Sequence, residues 1–303
     1  MEHDAAIIEV ALNEAAGRVP NPHVPFGPDE CAQDARHCRD AGAAIVHWHA
    51  RDPDGASRLG DVELSAAAFD EMRTDGVLAY PSYPVDASVP HAERLAHVWA
   101  LGEHHGLELA PVDIGSVTVV VWDDRSHDFV GIDALRALGV IDNPLPFVLD
   151  ALERARGLGM VPTLGAFDVG FTRTMAPLAR SGRVRQPVLH KIFLSGALAL
   201  GPEPVEDALD WHLRQIPDDL DVEWIAVPYA IGDPTLVERL CRHALARGGG
   251  IRVGLGDNPG AEPSATNAEL VERAVTWARD SGRPVASSDD VRRRVGLALR
   301  TDG

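Results

Sequence analysis

The chain has 303 residues, 45% of them hydrophobic, and a formal net charge of −18. That length and apolar content suffice for a sizeable core in one α/β unit. The acidic balance argues against a nucleic-acid binder, since the one basic run, Arg292-Arg293-Arg294, is short and flanked by Asp289 and Asp290. No apolar run is long enough to span a bilayer and Met1-Glu2-His3-Asp4 lacks the basic start of a signal peptide, so a cytoplasmic chain without a membrane partner is expected.

Residues 6–12 read as a first strand and 29–41 as a helix, opened by Pro28 and acidic residues and stopped by Gly42. A second strand, 44–50, leads to the turn-forming Asp52-Pro53-Asp54-Gly55 and a helix at 65–73. Strand 77–81, helix 91–104 and a strand within 109–121 with Asp113 in its middle follow, then a helix at 144–156. The alternation continues with strand 161–164, helix 172–180, strand 188–194, helix 205–215, strand 223–228, helix 234–246, strand 251–255 and helix 265–281. Eight strand-then-helix units point to a single-domain (β/α)8 TIM barrel over 1–303. A doubly wound open sheet is the alternative, but no Gly-x-Gly-x-x-Gly turn follows Leu12. The polar stretch 123–143 reads as a loop or lid over the barrel mouth. Cys31, Cys38 and Cys241 form no Cys-x-x-Cys pair and read as structural.

His47 and His49 end the second strand. Side chains two apart on a strand share a face, so both imidazoles project together from its carboxyl end. Such a pair is a start on a zinc site; two histidines that only hydrogen-bond neighbours are the plainer alternative. The carboxyl ends of the other strands carry Asn13 and Glu14, Ser82 and Tyr83, Asp113 and Ser116, Phe167 and Asp168, and finally Arg252 with Asp257. Asp257 stands where a general base would stand. Arg252 within an apolar strand needs an anion, either a substrate carboxylate or Asp257 itself.

These residues, taken together, resemble the β-keto acid cleavage enzymes. Val46 to Gly55 resembles that family's H-x-H-x-R-D-x-x-G signature, Pro81-Ser82 its P-S-T-G and Asp113–Ser116 its D-x-G-T. Phe167-Asp168 with Gly170 resembles F-D-x-G, and residues 251–258 resemble V-R-V-G-x-E-D-N. The resemblance implies zinc held by His47 and His49, Asp257 as catalytic aspartate, Arg252 as the strand-eight arginine, and Glu14, Ser82 and Ser116 near the substrate. It further implies transfer between a β-keto acid and acetyl-CoA, giving acetoacetate and a new acyl-CoA, in a homo-oligomer. Two positions depart from the pattern: Gly256 stands where the family has a zinc-ligating glutamate, and Gly165 where it has the E-x-F-D glutamate. Two protein imidazoles with water and substrate are then the expected metal environment.

Two other readings compete. Lys191, the chain's only lysine, lies on the sixth strand and could form a Schiff base in an aldolase-like lyase; Leu189 and Phe193 on the same face argue against it. A barrel that has lost catalysis and only binds is the other, opposed by retention of both histidines, Asp257 and Arg252.

Overall fold

The computed structural model describes residues 4–85, 88–123, 127–129 and 139–299. Eight parallel strands form the barrel: β1 (Ile8–Ala11), β2 (Ile45–Trp48), β3 (Ala79–Pro81), β4 (Leu109–Asp113), β5 (Val161–Ala166), β6 (Val188–Ser195), β7 (Val222–Tyr229) and β8 (Gly250–Val253). Their order, β3-β2-β1-β8-β7-β6-β5-β4, is the cyclic sequence of a TIM barrel, each strand beside its chain neighbour. At the seam between β3 and β4 no ladder forms among the described residues. Side chains hold it instead: the Tyr83 hydroxyl donates to Asp113 Oδ2 at 2.9 Å and accepts from Asn143 Nδ2 at 3.0 Å.

The helices follow their strands: α1 (Gly27–Ala41), α2 (Val62–Thr74), α3 (His91–Arg94), α4 (Ala96–His104), α5 (Leu145–Gly157), α6 (Val169–Arg180), α7 (Glu206–Leu213), α8 (Pro234–Ala246), α9 (Asn267–Asp280) and α10 (Ser288–Arg294). Local chemistry sets their ends. Gly42 closes α1 at φ 118°, a left-handed conformation open to glycine. Asp168 caps α6, its carboxylate accepting from Gly170 N at 2.7 Å, so this rim residue serves as a helix cap. Thr266 and Glu269 form a capping box on α9.

Three elements differ from the pattern expectation. The single helix over 91–104 is broken at Leu95, whose φ −107° and ψ 11° are not helical, while buried Arg94 donates to Val89 O at 3.0 Å. β4 ends at Asp113, and Val117–Thr118 leaves the barrel to pair antiparallel with Val140–Ile141. β8 stops at Val253 because Gly254, at φ 139°, turns the chain. Much of the stretch read as a lid, residues 124–126 and 130–138, lies outside the described residues; Trp122–Asp123 pairs with Asp128–Phe129 beside it. Cys31, Cys38 and Cys241 are buried free thiols. Among the described residues no helix is long and apolar enough to cross a membrane.

Candidate active site

The register of β1, β2 and β3 sets Ala11, His47 and Tyr80 side by side, with His47 on the inward face. His47 packs on the Tyr80 ring at 4.7 Å and meets the His49 ring edge-on at 5.5 Å. Asn13 fixes the turn that carries His49, accepting from its backbone N–H at 2.8 Å and donating to its carbonyl at 3.0 Å. The next residue, Glu14, has φ 36° and is buried. A non-glycine residue in this region is strained unless its surroundings hold it. Arg51 holds it, donating to the Glu14 carbonyl and, at 2.6 Å, to that of Ala16. Asn13 lay on the rim named from sequence without a role; Arg51 had a signal as the arginine of the His-x-His-x-Arg-Asp motif.

This backbone swings the Glu14 carboxylate between the two imidazoles. Oε1 lies 2.9 Å from His47 Nε2 and Oε2 lies 2.6 Å from His49 Nε2. One donor atom from each residue falls within 4.8 Å of the others. Burial opposes ionisation of Glu14, but His49, His47 and Arg252 override it and hold the carboxyl well below its usual range. Burial pushes the His47 imidazole down to about 4, more than Glu14 restores.

The hydrogen-bond pattern tests whether these residues fit a metal ion. His47 Nδ1 lies 3.2 Å from the Tyr80 carbonyl, which can only accept. Nδ1 therefore carries a proton, and in the neutral ring that burial favours Nε2 presents its lone pair toward a carboxylate oxygen. Two acceptors facing each other at this distance are poorly matched alone and suit a shared cation. His49 Nε2 is buried and, though 2.6 Å from Glu14 Oε2, is not aligned for a hydrogen bond to it. Two imidazole nitrogens and one carboxylate are a donor set that catalytic zinc takes. The residues fit.

Beside this group lies a buried ion network. Arg252 forks onto Asp257, Nε to Oδ2 at 2.9 Å and Nη2 to Oδ1 at 2.6 Å. Nη2 also bonds Glu14 Oε1, and Nη1 reaches Glu9 Oε1 at 3.3 Å. All three guanidinium nitrogens thus engage protein carboxylates; of the two anions open to Arg252 from sequence, the structure pairs it with Asp257. Burial lifts the Asp257 carboxyl to about 7, against the pull of Arg252 and with Glu14 and Glu9 adding to the rise. Glu9 and Tyr80, which the sequence reading did not single out, extend the network: Tyr80 donates to Glu9, and Lys191 Nζ donates to the Tyr80 hydroxyl at 2.6 Å.

The serines lie apart from these contacts. Ser82 is half-buried at the end of β3, its N–H donating to Trp48 O at 2.9 Å. Ser116 is exposed and its hydroxyl lies 3.4 Å from Asp142 Oδ1. The two glycines that replace glutamates are occupied from next door. A Cβ on Gly256 would stand 2.7 Å from Glu14 Cγ, and one on Gly165 would stand 1.9 Å from Asp113 Oδ1.

Known proteins share this frame. The chain is 27% identical to a 3-dehydrocarnitine:acetyl-CoA trimethylamine transferase of Rhizobium meliloti (strain 1021), over 92% of this chain and 91% of that one. It is 25% identical to a 3-keto-5-aminohexanoate cleavage enzyme of Acetoanaerobium sticklandii, over 92% and 93%. Among solved structures, apo ObcA superposes with a TM-score of 0.67 at 17% identity, covering 91% of this chain and 66% of that longer one. ObcA is also solved with oxaloacetate bound. The description "beta-keto acid cleavage enzyme" belongs to a family model that matches residues 5–297. With that match running along nearly the whole barrel, the chain belongs to the β-keto acid cleavage enzyme family.

Proposed function

We propose that the protein transfers acyl groups between a β-keto acid and acetyl-CoA through a zinc-dependent carbon–carbon cleavage. The observation that carries this reading is the Glu14–His47–His49 group opening beside the Arg252–Asp257 pair, in a chain of this family. The reaction balances as an exchange. The carboxymethyl unit of R–CO–CH2–COO⁻ joins the acetyl group as acetoacetate, and R–CO leaves on CoA.

A divalent zinc held by His47 and His49 with the Glu14 carboxylate would supply Lewis-acid polarisation of the keto oxygen. The protein's groups do the rest. Asp257, whose carboxyl titrates near 7, accepts a proton from the carbon between keto and carboxylate groups. Arg252 aims the Asp257 carboxylate through its fork and ties Glu14 to the same frame. Tyr80 and Asn13 orient the two imidazoles. Ser82, half-buried at the end of β3, is assigned to the substrate; Ser116 is assigned to the outer wall, given its exposure.

The relatives act on keto acids with differing side chains, as their names state. The test is a panel of β-keto acids with amino, carboxylate and alkyl termini, each with acetyl-CoA. Acetoacetate and acyl-CoA should form in equal amounts for at least one. A zinc-loaded, folded protein that turns over none of them would refute the reading. So would cleavage that does not depend on acetyl-CoA.

A further inference from the structure

We propose that Gly256 is a positioning residue for the metal site: its bare backbone is what admits Glu14 as the third ligand, so the carboxylate arrives from the loop after β1 and not from the end of β8. The inference rests on the metal-dependent reading above and concerns how this chain completes the site.

Glu14 in this placement and a side chain at position 256 exclude each other. A Cβ on Gly256 would sit 2.7 Å from Glu14 Cγ, 2.9 Å from Glu14 N and 3.0 Å from Ala11 O. Contacts this short force something to move, and two of the three partners are backbone. The backbone of Gly256 lies outside the left-handed region, so the demand for glycine here is for space and not for conformation. Gly256 N–H also donates to Ala11 O at 3.0 Å, which draws this segment flat against the loop that carries Glu14.

A second observation points to a ligand role. Glu14 spans the Nε2 atoms of both histidines, and on His47 the opposite ring nitrogen, Nδ1, is taken by its contact with Tyr80 O. An outer partner of a metal-bound histidine meets the ring nitrogen opposite the metal. On His47 that place is taken by the Tyr80 carbonyl. Glu14 therefore stands on the ligand side.

The experiment titrates metal-stripped full-length protein with Zn²⁺ against a chromophoric chelator, with metal content by elemental analysis and melting temperature with and without zinc. Gly260→Ala is the control, since a Cβ there meets nothing within 4 Å. Wild type and Gly260→Ala should bind one zinc per chain with equal affinity. Gly256→Ala and Glu14→Gln should each lose more than about 100-fold, beyond the 10–100-fold that removal of an outer hydrogen-bond partner costs. Glu14→Gln should lose the zinc-induced rise in melting temperature, measured against its own metal-free value. Wild-type zinc affinity in either variant overturns the proposal, as does a wild-type protein that binds no zinc. If Gly256→Ala does not fold, Glu14→Gln decides alone. Tight zinc binding without turnover would instead refute the proposed reaction and leave this assignment standing.

Discussion

Replacing Asp257 with Asn separates the base from its scaffold. The carboxylate takes two bonds from Arg252, at 2.9 and 2.6 Å, inside a side-chain environment with no solvent exposure. Asn keeps the shape and one accepting oxygen but turns an amide donor toward a guanidinium donor. The resulting mispairing should lower stability by ~1–3 kcal/mol. The effect on turnover should be larger, because proton transfer is lost outright: ~10²–10⁴-fold in kcat/KM, or about 3–5 kcal/mol in the barrier. The pH profile adds a signature that a purely structural role would not produce. Burial lifts the Asp257 carboxyl to about 7. Protonation below that pH removes the base, so wild-type kcat/KM should fall about tenfold per unit on the acid side. Asp257→Asn should show no such limb. Exchange of deuterium from solvent into the keto acid's C2 methylene, followed by mass spectrometry without acetyl-CoA, isolates the proton step. A variant that keeps its zinc and turns over within a few-fold of wild type would refute the assignment. A variant that is active but metal-free would show that Asp257 is a ligand and that the base must be sought elsewhere.

Lys191 should form no covalent adduct: borohydride added with a keto acid should leave the intact mass unchanged, because Lys191 Nζ is engaged by the Tyr80 hydroxyl at 2.6 Å; an adduct would revive the aldolase reading. Thr172 Oγ1 lies 3.0 Å from His190 Nε2 and 2.7 Å from His212 Nδ1, and burial pushes these imidazoles down to about 3 and about 4. The unfolded chain takes up protons first, so this stability is complete above pH ~6.5 and should erode by on the order of 5 kcal/mol by pH ~4. Melting temperature against pH should show the decline in wild type and a flatter curve in His190→Gln/His212→Gln; a wild-type curve flat down to pH ~4.5 would contradict it. Tyr83→Phe removes the hydroxyl that joins Asp113 and Asn143 across the barrel seam, and should cost ~1–3 kcal/mol in urea unfolding; no change in the midpoint would mean the seam does not depend on it.

The barrel was legible in the sequence because each unit carries its own period and its own stops. The eight apolar runs, the Gly42 stop after the first helix and the Pro28 start are local facts, and parallel strands joined by helices leave few topologies. The same-face placement of His47 and His49 follows from the two-residue repeat of a strand. The pairing of Arg252 with Asp257 was also visible as one of two options, since an arginine in an apolar strand must find an anion.

What the sequence could not decide were relations between segments far apart along the chain. The break at Leu95 and the early end of β4 depend on what Arg94, Tyr83 and Asn143 reach across space. Glu14 reads in the sequence as a residue near the substrate; its position between the imidazoles comes from the neighbouring of β1 and β2 and from a strained backbone held by Arg51. Gly256 reads as a missing ligand, and only the fold places Glu14 in the space that a side chain there would need. A linear pattern records which residue is present at a position. Whether an absent side chain leaves a vacancy or makes room depends on which other segment packs against that point, and only the closed barrel sets that.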